Sequence, residues 1–198
     1  MHSADLIYLG DLRLTVGLAC AVSAWLLAAH AYRLAAFWCL YAGGAFIAVA
    51  ASKIIYMGWG LQSTIIEFKA ASGHAAGAAA VLPVVFYLVA QSYGRKKDYI
   101  CLLGGWLLSI AVAAALVLND EHSASEAIAG WSLGALASAC SYMKMRGTNI
   151  IASRYGFSAA LATTFLIAAC MQAAPVGWWM IKTALVLSGA QRVHAWND

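Results

Sequence analysis

Charged side chains are scarce in this chain. Asp, Glu, Lys and Arg make up 10% of its 198 residues, while hydrophobic residues make up 64%. A soluble domain carries about 25% charged residues, so too few are present here to cover a soluble surface. Apolar runs of about 20 residues recur, each long enough to cross a bilayer core as a helix. The composition therefore excludes an ordinary soluble protein and predicts an all-α, polytopic membrane protein.

Cysteine motifs and a strong charge bias are also missing. The five cysteines show no CxxC spacing and lie within or at the ends of apolar runs, so we expect them to pack rather than bind metal or form disulfides. The net charge of +4 is small and scattered, which argues against nucleic-acid binding. Asp5 and Asp11 stand where a signal peptide would have a basic stretch, so we expect no cleavable leader.

The apolar runs predict about six spans in a single transmembrane domain over residues 1–198. They cover roughly residues 12–31, 34–57, 72–93, 99–118, 123–142 and 155–172. Pro83 predicts a kink in the third span. The segment from Val176 to Ala190 is either a seventh span or an interfacial helix, because Trp178 and Lys182 suit the interface.

Basic residues concentrate in the loops on one side of the predicted bundle: Arg33, Arg95, Lys96, Lys97, Lys144, Arg146 and Arg154. Asp98 is the only acid on that side, whereas the loops on the other side carry most of the acids. By the positive-inside rule the basic side faces the cytoplasm. The sequence therefore predicts an integral protein of a bacterial inner (plasma) membrane, with its N-terminus and residues 119–126 facing the periplasm or outside.

Polar residues gather at positions 119–126, between two apolar runs. Because His122 and Glu126 are four residues apart, they share one face of the first turn if the second run is helical. The predicted alternation of spans brings Lys53 and His74 to the same side of the membrane. Ionisable residues are rare in membrane segments and mark functional sites. We therefore expect these residues to converge near the outer surface.

The residue types at this predicted site suit phosphoryl transfer. A helix that begins at Ser72-Gly73-His74 presents free N–H groups and a partial positive charge to an anion, and Lys53 adds a positive charge. One histidine can act as nucleophile, oriented by a carboxylate, while the other protonates the leaving oxygen. Taken singly, each residue also fits helix capping or snorkelling, so the interpretation depends on their combination.

In combination these residues resemble the type 2 phosphatidic acid phosphatase family of integral membrane lipid phosphatases. The family's three motifs read K-x6-R-P, P-S-G-H and S-R-x5-H-x3-D, in that order. Ala71-Ser72-Gly73-His74 is similar to the second motif, and His122 with Glu126 is similar to the end of the third. Lys53 stands where the lysine of the first motif is expected. The resemblance covers about residues 50–135.

Two departures from the family pattern concern its arginines. Counting from Lys53 puts Gly60 at the first arginine position, and counting back from His122 puts Leu116 at the second. The family's arginines clamp phosphate oxygens, and an arginine fork does so bidentately in a way that lysine does not. Removing one such donor costs about 10²–10³-fold in other enzymes. The resemblance is therefore to a divergent member of the family.

Smaller departures lie beside the histidines. Ala71 replaces the family's proline, and Glu126 replaces its aspartate with a longer carboxylate of similar chemistry. Lys69 and Arg13 lie on the predicted site side and could substitute for the missing arginines. Each is also typical of a snorkelling interfacial residue.

The resemblance implies a lipid phosphatase or phosphotransferase acting on a membrane-embedded phosphate or pyrophosphate. His122 would attack phosphorus to give a phosphohistidine, Glu126 would hold its imidazole, and His74 would protonate the leaving oxygen. Phosphate oxygens would be bound by Lys53, Ser72, Gly73 and Lys69. Candidate substrates are polyprenyl pyrophosphate, phosphatidate, phosphatidylglycerol phosphate and a lipid A phosphate. No metal or cofactor is expected.

Two other functions stay open at this point. The missing arginines favour a non-catalytic lipid-binding or partner subunit, whereas the two histidines and the carboxylate argue against it. A transferase that moves a lipid headgroup, with altered chemistry, would also fit these residues. Discriminating between them requires a measurement of free phosphate and of lipid product.

Two further patterns concern packing and the C-terminus. Gly73-x3-Gly77 and Gly130-x3-Gly134 are small-x3-small patterns, which predict that the third and fifth spans pack together and bring the two histidines close. His194 with Asp198 repeats the H-x3-D spacing, and we interpret this as coincidence because no membrane helix follows it.

Overall fold

The computed structural model describes residues 6–92, 98–148, 150 and 154–195 of the chain. After a 3-10 turn at Tyr8–Gly10, these residues form seven α-helices: α1 Leu12–Ala28, α2 Tyr32–Trp59, α3 Gly73–Ser92, α4 Asp98–Leu118, α5 Ala124–Met145, α6 Arg154–Ala173 and α7 Val176–Ser188. Within these ranges the β-structure is limited to one isolated antiparallel β-bridge between Ser63 and Phe68, in the α2–α3 connection. The prediction of an all-α helical bundle is therefore confirmed.

α3 is the central helix of the bundle. It contacts α1, α2, α4 and α5, and every residue from Ala75 to Val84 is buried. Alanine and glycine dominate the first half of this stretch, and their small side chains let neighbouring helices approach the α3 backbone closely. α6 packs along α1, and α7 packs against α2. The helix that begins at Gly73 is thus the one around which the others are arranged.

Two glycines of α5 allow the close contact with α3. A Cβ atom added to Gly130 would collide with the carbonyl oxygen of Ser72, and one added to Gly134 would collide with the backbone of α3. The predicted packing of α3 on α5 is therefore present. Gly77 has a different partner, because its added Cβ would lie 2.7 Å from Oγ1 of Thr15 in α1. The expectation that the two small-residue patterns face each other is wrong for the first pattern, because Gly73 faces Val49 and Lys53 of α2 while Gly77 faces α1.

Pro83 lies inside α3 without ending it, since the helix continues to Ser92. Gly105 of α4 sits directly against this proline, and a Cβ added there would lie 2.5 Å from Cα of Pro83. The glycine therefore gives the proline-containing turn of α3 the space that it needs. The sequence offers no pattern that pairs these two residues.

Within the part of the chain that the structure describes, three helices are long and apolar enough to cross a membrane: α2, α3 and the Tyr99–Leu118 part of α4. Ser158–Ala173 and Val176–Ser188 meet at a bend of 57° and add a fourth span if they are counted as one broken span. α1 is apolar but has 17 residues, about 26 Å of helix against a bilayer core of about 30 Å. The apolar helices are consistent with an integral membrane protein, and the number of about six spans stays a prediction.

α7 is too short to cross a bilayer by itself. Its 13 residues extend over about 20 Å, whereas a bilayer core is about 30 Å thick. It packs against the last turns of α2, where a Cβ added to Gly58 would lie 3.2 Å from the carbonyl oxygen of Ala184. The geometry therefore favours a helix at the end of the bundle over an independent seventh span.

Some predicted features fall outside the described residues. The loop at Gly94–Lys97, with three of the basic residues used to predict the orientation, lies there, while Asp98 begins α4. Asp198 also lies outside them. His194 is described, and its ring lies beside Gly60 at the end of α2.

Candidate active site

His122 and Glu126 form a hydrogen-bonded pair at the start of α5. Nδ1 of His122 lies 2.8 Å from Oε2 of Glu126. Between them, Ser123 caps the helix, because its Oγ accepts the backbone N–H of Glu126 at 3.3 Å. The helix begins at Ala124, so Glu126 lies in its first turn and His122 lies just before its cap. The two residues meet at the spacing that the sequence indicated.

The Glu126 carboxylate is buried and bonded through both oxygens. The residue is 6% exposed. Its Oε1 accepts the backbone N–H of Lys69 at 3.0 Å and that of Ala70 at 3.3 Å, while Oε2 faces His122. Backbone donors to a buried carboxylate stabilise its negative charge and fix its orientation. Glu126 is therefore placed to hold the imidazole of His122 in one position.

The first turn of α3 is joined to the first turn of α5. The backbone N–H of Ser72 donates to the backbone carbonyl oxygen of Glu126 at 3.0 Å. The buried Ser72 hydroxyl accepts the N–H of Ala75 at 3.3 Å and caps α3. Because the backbone N–H of Ser72 is bonded within the protein, the N–H groups of Gly73 and His74 are the ones at this helix start that could donate to an anion. Their N–H groups, at the first positions of the helix, have no intrahelical acceptor.

Lys53 reaches the same helix start from α2. A Cβ atom added to Gly73 would lie 3.9 Å from Nζ of Lys53, so the ammonium group lies beside the N-terminus of α3. Glu126 is also within electrostatic range of this ammonium group. The lysine and the helix N-terminus, which were predicted to bind phosphate together, therefore lie side by side.

His74 occupies the first turn of α3 and is partly buried. The 3-10 turn passes close to it, since a Cβ added to Gly10 would lie 2.7 Å from the carbonyl oxygen of His74. Its imidazole is within electrostatic range of four charged or titratable side chains: His122, Asp11, Lys53 and Glu121. The two histidines therefore belong to one cluster, although His74 lies in α3 and His122 lies in the connection just before α5.

A cleft of about 460 Å³ opens beside His122 and Glu126, and His74, Ser72 and Gly73 are not among its lining residues. Its lining mixes basic and acidic side chains: Lys53, Glu67, Lys69, Asp120, Glu121, His122, Ser123 and Glu126. Glu67, Asp120 and Glu121 were not predicted as site residues, although two of them belong to the polar stretch at 119–126. The polar stretch in the sequence therefore contained Asp120 and Glu121, but no sequence pattern distinguished residues that line a cleft from residues of an exposed loop.

The basic side chains that line the cleft are Lys53, Lys69 and His122. Of the two proposed substitutes for the motif arginines, Lys69 lines the cleft, whereas Arg13 is not among its lining residues. Leu116 is buried in an apolar cluster, and Gly60 ends α2 with a left-handed φ of 67°. The assignment of these two positions to the missing arginines stays a prediction from counting.

The arrangement holds the imidazole of His122 in one orientation, within electrostatic range of the second histidine, His74. A carboxylate only accepts hydrogen bonds, so the Nδ1 that faces Glu126 carries the proton and the lone pair of His122 is on Nε2. Lys53 and the N-terminus of α3 offer positive charge to an anion. Among the described residues, no group of three or more His, Cys, Asp and Glu side chains could hold a metal ion. The geometry can therefore support phosphoryl transfer through a histidine.

Comparison with known proteins identifies the family. The family model of the PAP2 superfamily matches residues 52–150, which is half of the chain. The chain belongs to the PAP2 superfamily. Members of this superfamily are generally phosphatases, and the matched segment of this PAP2 member contains Lys53, His74 and the His122–Glu126 pair. The family on which the sequence resemblance rested is therefore confirmed.

A relative from Klebsiella pneumoniae, named "Uncharacterized 22.5 kDa protein in cps region", is 34% identical to this PAP2 member over 102 residues. The match covers 52% of this chain and 49% of that protein, so the chain spans about half the length of the relative that it matches. No solved structure matches the chain. These comparisons identify a superfamily and give no substrate.

Proposed function

We propose that this member of the PAP2 superfamily is a membrane lipid phosphatase or phosphotransferase. Its substrate would be a lipid phosphate or pyrophosphate, such as a polyprenyl pyrophosphate, phosphatidate, phosphatidylglycerol phosphate or a lipid A phosphate. The observation that carries the proposal is the buried Glu126 carboxylate, bonded to two backbone N–H groups and to Nδ1 of His122. A histidine held in this way has one nitrogen free to attack phosphorus.

In the first chemical step, Nε2 of His122 attacks phosphorus. A phosphorus–nitrogen bond forms, the bond between phosphorus and the leaving oxygen breaks, and His74 gives its proton to that oxygen. Glu126 stabilises the positive charge that develops on the imidazole of His122. Lys53 and the N–H groups at the start of α3 stabilise the negative charge on the phosphoryl oxygens.

In the second step the phosphohistidine is hydrolysed. A water molecule gives a proton to His74 and attacks phosphorus, the phosphorus–nitrogen bond breaks, and inorganic phosphate leaves. His122 regains its lone pair on Nε2, and His74 regains its proton. If a lipid hydroxyl replaces water, the same step transfers the phosphoryl group to a second lipid.

Phosphate release from defined lipids tests the proposal. The purified chain is compared with His122→Ala on a polyprenyl pyrophosphate and on phosphatidate, with free phosphate and lipid products both measured. We expect His122→Ala to lose at least about 10³-fold in kcat, because removal of a nucleophile leaves only binding and charge stabilisation. His30→Ala is the matched control, since His30 also bonds a neighbouring side chain, Tyr32, but lies away from the cleft. Equal rates for the wild type and His122→Ala would contradict the proposal.

We also propose that the cleft faces the outside of a bacterial plasma membrane. The support is the positive-inside pattern, since Arg33 and Lys144 lie at the helix ends opposite to Lys53 and His122. In intact cells, a membrane-impermeant maleimide should label Asp120→Cys and not Lys144→Cys, each compared with the unsubstituted chain. The reverse labelling would contradict this orientation.

A non-catalytic lipid-binding role is the second candidate, because one observation favours it. Four carboxylates line the cleft (Glu67, Asp120, Glu121 and Glu126), against two lysines. An excess of negative charge opposes the binding of a phosphate dianion. In this case the chain would bind lipid without releasing phosphate or forming a new lipid product.

A further inference from the structure

The C-terminal part of the chain packs against the site from outside the segment that the family model matches. We infer that α7 and residues 189–195 hold the backbone of Lys69 and Ala70 against Glu126 and so position the His122–Glu126 pair. We call α7 with residues 189–195 the C-terminal buttress. The kinetic consequence rests on the proposed function, whereas the positioning itself does not.

The segment that follows α7 is bonded to the end of α2. The backbone N–H of His194 donates to the carbonyl oxygen of Met57 at 3.0 Å, and the hydroxyl of Tyr56 donates to the carbonyl oxygen of Ala195 at 2.7 Å. The His194 ring lies against Gly60, whose added Cβ would come within 2.8 Å of it. These contacts anchor residues 194 and 195 where the α2–α3 connection begins.

α7 itself covers the same region with apolar contacts. Ala184 is fully buried in one cluster with Tyr56, Met57 and Ala70. At Gly58 the two helices approach so closely that an added Cβ would lie 3.2 Å from both the Ala184 carbonyl oxygen and Cβ of Ser188 in α7. The buttress therefore packs on α2 and on the α2–α3 connection at once.

Lys69 and Ala70 transmit this packing to the catalytic pair. Nζ of Lys69 lies 5.6 Å from the centroid of the Tyr56 ring, and Ala70 is 1% exposed beneath α7. The N–H groups of these two residues are the ones that Oε1 of Glu126 accepts. The chain of contacts thus runs from α7 through Tyr56 and Ala70 to Glu126, and from there to His122.

The part of the α2–α3 connection before Lys69 is held by backbone hydrogen bonds between Ser63 and Phe68 but is mostly exposed. After Ala70, the backbone N–H of Ala71 donates to Oγ of Ser52 at 3.1 Å. Most of residues 61–67 are exposed, and exposed segments without apolar contacts open easily. If the N–H groups of residues 69 and 70 moved away, Glu126 would keep its bond to His122 but lose the donors that fix its position. A displacement of about 1 Å in a catalytic arrangement can cost about 10²-fold in rate.

The test separates α7 from α2 at their closest contact. Gly58→Val places a branched side chain against Ala184 and Ser188, and Gly44→Val is the matched control in the same helix because nothing lies within 4 Å of its added Cβ. Both full-length variants are purified in detergent. Amide hydrogen exchange of the peptide over residues 60–72 is measured by mass spectrometry, together with kcat and KM for phosphatidate.

We expect Gly58→Val to increase exchange at residues 69 and 70 by at least about tenfold, since their protecting contacts weaken. In the same variant kcat should fall by at least about tenfold while KM stays within about twofold. Gly44→Val should change none of these values. Unchanged exchange in Gly58→Val, or an equal increase in both variants, would overturn the inference.

If Gly58→Val does not fold, two more conservative substitutions test the inference, each of which removes one hydroxyl group. Tyr56 and Tyr87 are each 1% exposed, and each donates its hydroxyl to a distant backbone carbonyl, that of Ala195 and that of Met145. Tyr56→Phe should raise exchange at residues 69 and 70 by about threefold, and Tyr87→Phe should not. If the wild type releases no phosphate from any lipid, the proposed function fails, and the exchange measurements still decide the inference.

Discussion

The two ends of the helical bundle both gather charged residues, but they hold them differently. At the end with the cleft, Glu126 is 6% exposed and accepts three hydrogen bonds. At the opposite end lies a pocket of similar size, about 520 Å³, whose lining includes Arg33, Lys144 and His30, all of them exposed, and no carboxylate. Nζ of Lys144 lies over the ring of Phe37, 4.9 Å from its centroid.

The difference lies in burial and pairing, not in pocket size or in the number of charges. Exposed cations are screened by water and salt, so each contributes little to a fixed geometry. A buried carboxylate with three donors has one orientation and transmits it to its partner. The cleft beside His122 is therefore the better candidate for catalysis, and three variants test this contrast.

The largest effect is expected from Glu126→Gln. The amide keeps the shape of the carboxylate but removes the charge that stabilises a positive imidazole, and it can no longer accept hydrogen bonds through both ends. Neutralising the carboxylate behind a catalytic histidine costs about 10⁴-fold elsewhere, so we expect kcat to fall by about 10²–10⁴-fold. The measurement is the rate of phosphate release at saturating lipid, with thermal unfolding as the control for folding. A rate within threefold of the wild type would remove Glu126 from the mechanism.

A smaller effect is expected from Lys53→Met, which keeps the apolar stem and removes the ammonium group beside Gly73. Loss of one preorganised positive group at a developing charge costs about 10²–10³-fold in other enzymes. Lys144→Met is the matched control, because it removes a lysine charge at the opposite end. Steady-state kinetics on phosphatidate distinguish the two variants, and similar rates for both would argue against a phosphate-binding role for Lys53.

The smallest effect is expected from the double variant Arg33→Ala with Lys144→Ala. Both side chains are exposed, and exposed charges change stability by less than about 0.5 kcal/mol in most proteins. Phosphate release should stay within about twofold of the wild type, and the midpoint of thermal unfolding in detergent should shift by only a few degrees. A loss comparable to that of Lys53→Met would mean that the two ends of the bundle are coupled.

Much of the candidate site follows from local patterns in the sequence. The four-residue spacing of His122 and Glu126 brings the two side chains together at the start of α5, although His122 precedes the helix and only Glu126 lies in its first turn. The small residues after His74 allow α3 to be buried, and the alternation of apolar runs places both helix starts at the same end. These are properties of short segments, and short segments are what periodicity and motif reasoning describe well.

The contacts that hold the site together could not be predicted in the same way. Glu126 accepts N–H groups from Lys69 and Ala70, 57 and 56 positions earlier in the chain, and the α2–α3 connection carries no periodic pattern. A small-residue pattern predicts that another helix packs closely against it but does not identify that helix. The predicted partner of Gly77 was α5, whereas Gly77 packs against Thr15 of α1. The position of α7 depends on Gly58, a single glycine near the end of an apolar run.

The hydrogen bond from Ser72 to the carbonyl oxygen of Glu126 also sets the time at which the site can form during synthesis. Ser72 leaves the ribosome 54 residues before Glu126, as the numbering of the chain shows. At roughly 5–20 residues per second, several seconds pass between the synthesis of Ser72 and that of Glu126. The hydrogen bond between them can form only after this interval. During that interval the nascent chain contains His74 but neither His122 nor Glu126, so the candidate site cannot yet be assembled.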